Sequence, residues 1–166
     1  MNSGLPPPPL AARVRHEHHG ASIELPREWE YEAIFSAHPP GPPPQPSISL
    51  MRTAVAADVT LELFASRKVA EVSAAVGELQ VEETRETGLG GQRGIGLRIR
   101  FEDDGARFVQ RMVLTMVGGE DRTGIVYMLA GFAMESQAAK LHAAFDNVMQ
   151  SFRLSLPPRT LPSSPR

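Results

Sequence analysis

The side chains best able to do chemistry in this sequence fall into three clusters, and each admits an ordinary reading. His16, Glu17, His18 and His19 have the composition of a metal site. On a strand, alternate residues share a face, so His16 and His18 would converge while His19 points away. Zinc needs three or four ligands, and only His38 lies anywhere near in sequence, so a structural or solvent-exposed role is expected. Gly88, Gly90, Gly91, Gly94 and Gly96 suggest a nucleotide loop. A dinucleotide motif counted from Gly88 would need a third glycine where Arg93 stands, and no Lys-Ser/Thr pair follows to make a phosphate loop. A strand comes next, so no helix N-terminus would face a phosphate, and a hairpin with closely approaching strands is expected instead. Arg98, Arg100 and Arg111 are the one clustered set that could furnish a polar pocket, but arginines two apart on a strand belong on a solvated face opposite a core. There is no G-x-S-x-G elbow, and Asp103-Asp104 and Glu120-Asp121 sit in turn signals. No catalytic, metal or cofactor site is therefore expected, and the chain reads as non-enzymatic.

The totals point the same way. At 166 residues the chain is the size of one domain. With 17 Lys+Arg against 19 Asp+Glu, it has no basic excess to neutralise a nucleic-acid backbone or an anionic bilayer. The absence of Cys removes thiolate catalysis and cysteine-based metal sites. Residues 1–10 have no basic start and are interrupted by Pro6 to Pro9, and the longest apolar run, 124–134, is about half the ~20 residues of a membrane helix, so a cytoplasmic location is expected.

The elements that must position any site are punctuated by proline. Pro-rich stretches at 6–9, 39–46 and 157–165 predict an arm, an internal loop and a tail, because proline lacks the amide hydrogen that ladders and helix interiors use. The domain reading is a flexible arm over 1–12, a folded body over 13–156 and a tail over 157–166. Alternation predicts strands near 14–18, 22–25 and 33–37, and over 47–53, where Ile48 and Leu50 face one way and Ser47, Ser49 and Met51 the other. A helix is predicted from Asp58 or Thr60, either of which can cap its first turn. Leu61, Phe64, Ala65, Val69, Val72 and Val76 recur at helical spacing, and Gly77 ends the pattern. Strands over 80–87, 93–101, 107–117 and 125–132 follow, joined by links short enough for an antiparallel meander. The last element is a helix capped by Ser136, with Leu141, Phe145, Val148, Met149 and Phe152 on one stripe that should cross the sheet and close the core. The fold class is α+β, an antiparallel sheet of about six or seven strands with two main amphipathic helices.

Met51, Met112, Met116, Met128 and Met134 lie in or beside predicted strands, where methionine serves either as core filler or as an adaptable binding surface. Which it is depends on turn parity. Ile95, Leu97, Ile99 and Phe101 form a core face opposite Arg98 and Arg100. A two-residue Asp104-Gly105 turn pairs Phe101 with Phe108 and sends Gln110 and Met112 to the core side. A three-residue turn starting at Asp103 puts them beside Arg98 and Arg100, and the sequence leaves both open.

The element order, with Leu25-Pro26-x-x-Trp29, Gly90-Gly91-x-x-Gly94 leading into Leu97-x-Ile99-x-Phe101, Val109-Gln110-Arg111 and a closing Ser151-Phe152-Arg153, resembles the DcrB-like family of the PsbP-like fold. Members similar to this chain include the Eag-type chaperones of type VI secretion, which act as dimers and hold the apolar transmembrane helices of an effector. The resemblance implies a cytoplasmic chaperone or adaptor with a protein partner, no nucleic acid and no membrane insertion, and a homodimer. It implies a binding face that includes Gln110 and Met112 with early-strand residues such as Ile23. Met51, Arg98 and Arg100 complete the expected partner-binding set. The alternative is a structural accessory or assembly subunit of a larger complex.

Overall fold

Thr60 sets the first helix. Its backbone is extended and its hydroxyl accepts the Leu63 amide at 3.1 Å, satisfying one of the free donors of the first turn of α1 (Leu61–Val76). Gly77, at φ 83°, closes the helix with its amide donating to the Ser73 carbonyl. The computed structural model describes residues 13–18, 21–26, 32–41, 43–118 and 124–154, with 13–18, 21–26 and positions 32, 33 and 35 described by their backbone alone. The chain divides into two compact units, 1–31 and 32–166.

In the first unit, β1 (Arg13–His18) and β2 (Ala21–Pro26) pair as an antiparallel hairpin. The expected arm, tail and Leu25-Pro26-x-x-Trp29 opening fall wholly or partly outside the described residues, as do the side chains of His16, His18 and Ile23.

In the second unit, β3 (Glu32–Ala37), β4 (Ser47–Val55), β5 (Leu79–Leu89), β6 (Gln92–Asp103), β7 (Ala106–Gly118) and β8 (Gly124–Met134) form one antiparallel sheet in the order β3-β4-β8-β7-β6-β5. The meander β5 to β8 is as expected, and β4 joins it through β8. Two tight turns hold the register. Gly90 and Gly91, at φ 61° and 81°, link Leu89 to its partner Gln92. Asp104 and Gly105, at φ 48° and 75°, link Asp103 to Ala106. Both central residues of each turn have positive φ, as a two-residue type I′ hairpin requires, and glycine adopts it without strain. This settles the parity: Phe101 pairs with Phe108 and Ile99 with Gln110.

The helices lie on opposite faces. Phe64 and Ala65 of α1 pack with Leu97, Ile99, Met112, Leu114 and Met128. Leu141 and Phe145 of α2 (Ala138–Ser151) pack with the alternate set, Val109, Val113, Leu129 and Ala133. Consecutive residues of β7 and β8 therefore bury on both sides, which explains their nearly unbroken apolar sequence. The closing helix thus seals a second core instead of capping the one beneath α1. Ser136 is not its cap: it sits in a 3-10 turn, Glu135–Gln137, and the α-helix begins at Ala138 with no side-chain cap. The tight turn already gives the Ala138 amide the Glu135 carbonyl, so the serine hydroxyl has no cap to make.

Candidate interaction surface

Side-chain parity divides the expected partner-binding residues between the two faces. Met112 is 1 % exposed and belongs to the core under α1, so it offers no surface to a partner. Met128 is buried with it, and Met51 and Met116 pack half-buried against the same core, so methionine serves mainly as filler. Gln110 is half-buried on the same face, opposite Ile99.

Arg98 and Arg100 lie on the α2 face, and their charges are spoken for. Arg98 Nη2 donates to Glu83 Oε2 at 2.6 Å, and its Nε lies 3.8 Å from Glu82. Arg100 reaches Glu82 at 2.9 Å and Glu135 at 3.2 Å. The bulge between Val81 and Glu83 puts both glutamates within reach of this face. Arg111 pairs with Asp146 of α2 at 2.7 Å while its guanidinium lies 4.7 Å from the centre of the Phe145 ring. Arg85 shares Glu83, and Arg107 shares Glu135 and reaches Glu102, so five arginines meet five carboxylates; the network fastens β5, β6, β7 and α2 together and is balanced in charge. His142 stands beside it. Burial, then Arg111 and Arg98, lower its pKa, against smaller opposing effects of Asp146 and Glu82.

Among the described residues, two places gather several open apolar side chains, apart from the singly exposed Leu63 and Val81. On the α1 face, the helix leaves one corner of the sheet bare. Ile34 is 58 % exposed and Phe132 38 %. Ile34 stands opposite Met51, Met51 opposite Met128, and Phe132 opposite Gln110. Phe101, Phe108 and Phe132 stack on one another with ring centres 5.2 to 6.0 Å apart. The aromatic trio and Ile34 were not singled out by sequence reasoning. The signal was there in the parity that puts Phe101, Phe108 and Phe132 on one face, and it needed the turn type to be read.

On the α2 face, a groove of about 370 Å³ runs between α2 and β4, with residues 37–39 and Pro46 as its outer wall. Its surface is almost wholly carbon, from Ile48, Leu50, Leu129, Leu141, Ala144 and Val148, with Phe152 closing it. Sequence reasoning placed Ile48 and Leu50 on one face without asking what covers them.

Among the described residues, no helix is long and apolar enough to cross a membrane. No functionally curated protein is significantly similar in sequence. Among solved structures, protein PA94 of Pseudomonas aeruginosa superposes with a TM-score of 0.60 at 16% identity, covering 90% of this chain and 99% of that one. LpqN, which is involved in cell envelope biogenesis of Mycobacterium tuberculosis, gives 0.53 at 14% identity, covering 84% of this chain and 88% of its own. The cyanobacterial PsbP of Synechocystis gives 0.45 at 16% identity, over 93% and 97% of the two chains. At these identities the first two likenesses concern the fold. The DcrB family model matches residues 20–151, and the chain belongs to the DcrB family.

Proposed function

We propose that this chain is a non-enzymatic protein-binding domain, a chaperone or adaptor that shelters an apolar helix of a secreted protein. The observation that carries the reading is the open corner of the sheet, where Ile34 and Met51 at one end and Phe132 and Phe108 at the other are joined across the small side chains of Ser36, Ser49 and Ala130, beside the half-buried amide of Gln110. From β3 to β7 the sheet spans three strand intervals, about 14 Å, which accommodates a helix about 10 Å across. A transmembrane helix outside a membrane needs apolar side chains to cover it and hydrogen-bonding groups for its polar positions, and Gln110 supplies both a donor and an acceptor. The self-neutralised arginine cluster favours the non-enzymatic reading. Family membership agrees with a role in holding the transmembrane segments of a type VI secretion effector, with two copies of the chain acting together.

The test is co-expression with an effector encoded beside it. The wild-type chain should co-purify with the effector and raise its level, and Ile34→Asp with Phe132→Asp should remove at least nine-tenths of the co-purified effector. Ile34→Asp changes an exposed site, whereas Phe132→Asp also removes the stacking on Phe101 and Phe108, so the double variant should melt below the wild type and is assayed at a temperature where its circular dichroism shows it folded. Retention of the effector by the folded double variant would refute the reading. The second reading is an accessory or assembly subunit, favoured by the helix on each face, which leaves little of the sheet uncovered. It predicts a monomer that joins a fixed complex, and native mass spectrometry distinguishes the two.

A further inference from the structure

The groove beneath α2 is separate from the corner assigned to the protein partner, because it opens on the opposite face of the sheet. We propose that it binds a free single-chain amphiphile with an anionic head, of the fatty-acid class, with the tail along Ile48, Leu50, Leu129 and Val148 and the head at Lys140.

Three observations converge on that chemistry. The cavity, about 370 Å³, falls within the roughly 300–1,000 Å³ of small-molecule sites. Its lining carries no buried hydrogen-bonding side chain to recognise a sugar, a base or a peptide backbone, so the body of the ligand must be hydrocarbon. Among the described residues, Lys140 is the only lysine or arginine of the lining, and it has no ion-pair partner, whereas Lys68 and each arginine of the sheet cluster are paired. An unpaired ammonium at the edge of a carbon wall complements an anionic head on an aliphatic tail. His38 lines the same groove. Its Nδ1 lies 3.0 Å from the Pro39 carbonyl, so the ring lines the groove mainly with carbon.

The local sequence explains the space. Gly131 lets Leu141 and Phe145 settle directly on β8, and Ala144, exposed on the same helix, is too small to fill the room left over β4.

The experiment is calorimetric titration of the full chain with dodecanoate and with dodecyltrimethylammonium, which share a tail and differ in the sign of the head. The wild type should bind dodecanoate saturably and more tightly than the cation. Shortening the tail should weaken binding by up to about fourfold per methylene. Lys140→Glu, at an exposed site, should weaken dodecanoate about two- to fivefold, the range of a solvent-accessible pair, and tighten the cation. Ala144→Phe should abolish both. As a check independent of the variants, dodecanoate should shift the methyl resonances of Leu50, Leu129 and Val148 and leave those of Leu97 and Leu114 on the other face unmoved.

Absence of saturable binding, binding untouched by Ala144→Phe, or a head preference that ignores Lys140→Glu overturns the assignment. So does an apolar helical peptide that binds where dodecanoate does not and is lost in Ala144→Phe, since the groove would then serve a protein. A change in oligomeric state caused by Ala144→Phe alone also overturns it, by making the groove a contact between copies.

Discussion

Adding one methyl group at Gly131 should push α2 off the sheet. The glycine lies on β8 between Ile48 and Arg111 in the register. A Cβ there would sit 2.8 Å from Phe145 Cδ2 and 2.9 Å from Leu141 Cδ1, where relaxed carbon contacts are about 3.5–4.0 Å. Both side chains are fully buried and have no free side to retreat to. Either the helix lifts by close to an ångström or both residues leave their rotamers, at about 0.5–1.5 kcal/mol each. Removing a strand glycine recovers about 0.5–1 kcal/mol. The expected net loss for Gly131→Ala is therefore about 1–2 kcal/mol, within the usual range for overpacking. In a urea titration with a slope of about 2 kcal/mol/M, the midpoint falls by about 0.5–1 M and the slope is unchanged. Phe145→Leu trims one of the two obstructing side chains and leaves Leu141 in place, so the double variant should be more stable than the sum of the singles by about 0.5 kcal/mol. A Gly131→Ala midpoint within error of the wild type, or strict additivity with Phe145→Leu, refutes the close-approach argument.

Arg111→Ala strips Asp146 of its partner and Phe145 of its cation, and should cost about 1–2 kcal/mol by thermal denaturation. Arg111→Lys should recover the smaller part of that, because an ammonium is a single compact charge that cannot sit over the Phe145 ring and reach the carboxylate at once. Thr60→Ala should cost about 1 kcal/mol through the lost α1 cap, with Thr60→Ser restoring most of it. His142 is held below the ordinary histidine pKa of about 6.5, first by burial and then by Arg111 and Arg98, so the fold favours its neutral form. Its contribution is fully present above that pH and is lost as pH falls through the lowered folded value. His142→Gln should flatten the stability curve on the acid side of about pH 6.5, and an unchanged curve in urea titrations at stepped pH counts against the assignment.

The helices and meander were legible because their signals are local. Thr60, the apolar repeat from Leu61 to Val76 and Gly77 state a beginning, a face and an end within one segment. The paired glycines at 90 and 91 likewise mark a turn without reference to anything distant. What was not legible depends on long-range choices. An amphipathic stripe such as Leu141-Phe145-Val148 says that a helix buries one side, but the sheet's opposite face is equally apolar at Val109, Val113 and Leu129, and only the fold assigns the pair. Asp103-Asp104-Gly105 fits a two- or a three-residue turn, and that single choice moves Gln110 and Met112 across the sheet. The open corner was hidden for the same reason, since Phe101, Phe108 and Phe132 become neighbours only after the register is known.

A sheet clothed by one helix on each side is a partition with two separate rooms. Leu114 and Val113 are adjacent in sequence and answer to different cores. Guests on the two sides would not compete, and occupancy of one side would change affinity on the other only through the backbone they share. Saturating the α2 side should therefore leave the dissociation constant for a partner on the α1 side where it was, and substitutions that retune one side can accumulate without retuning the other.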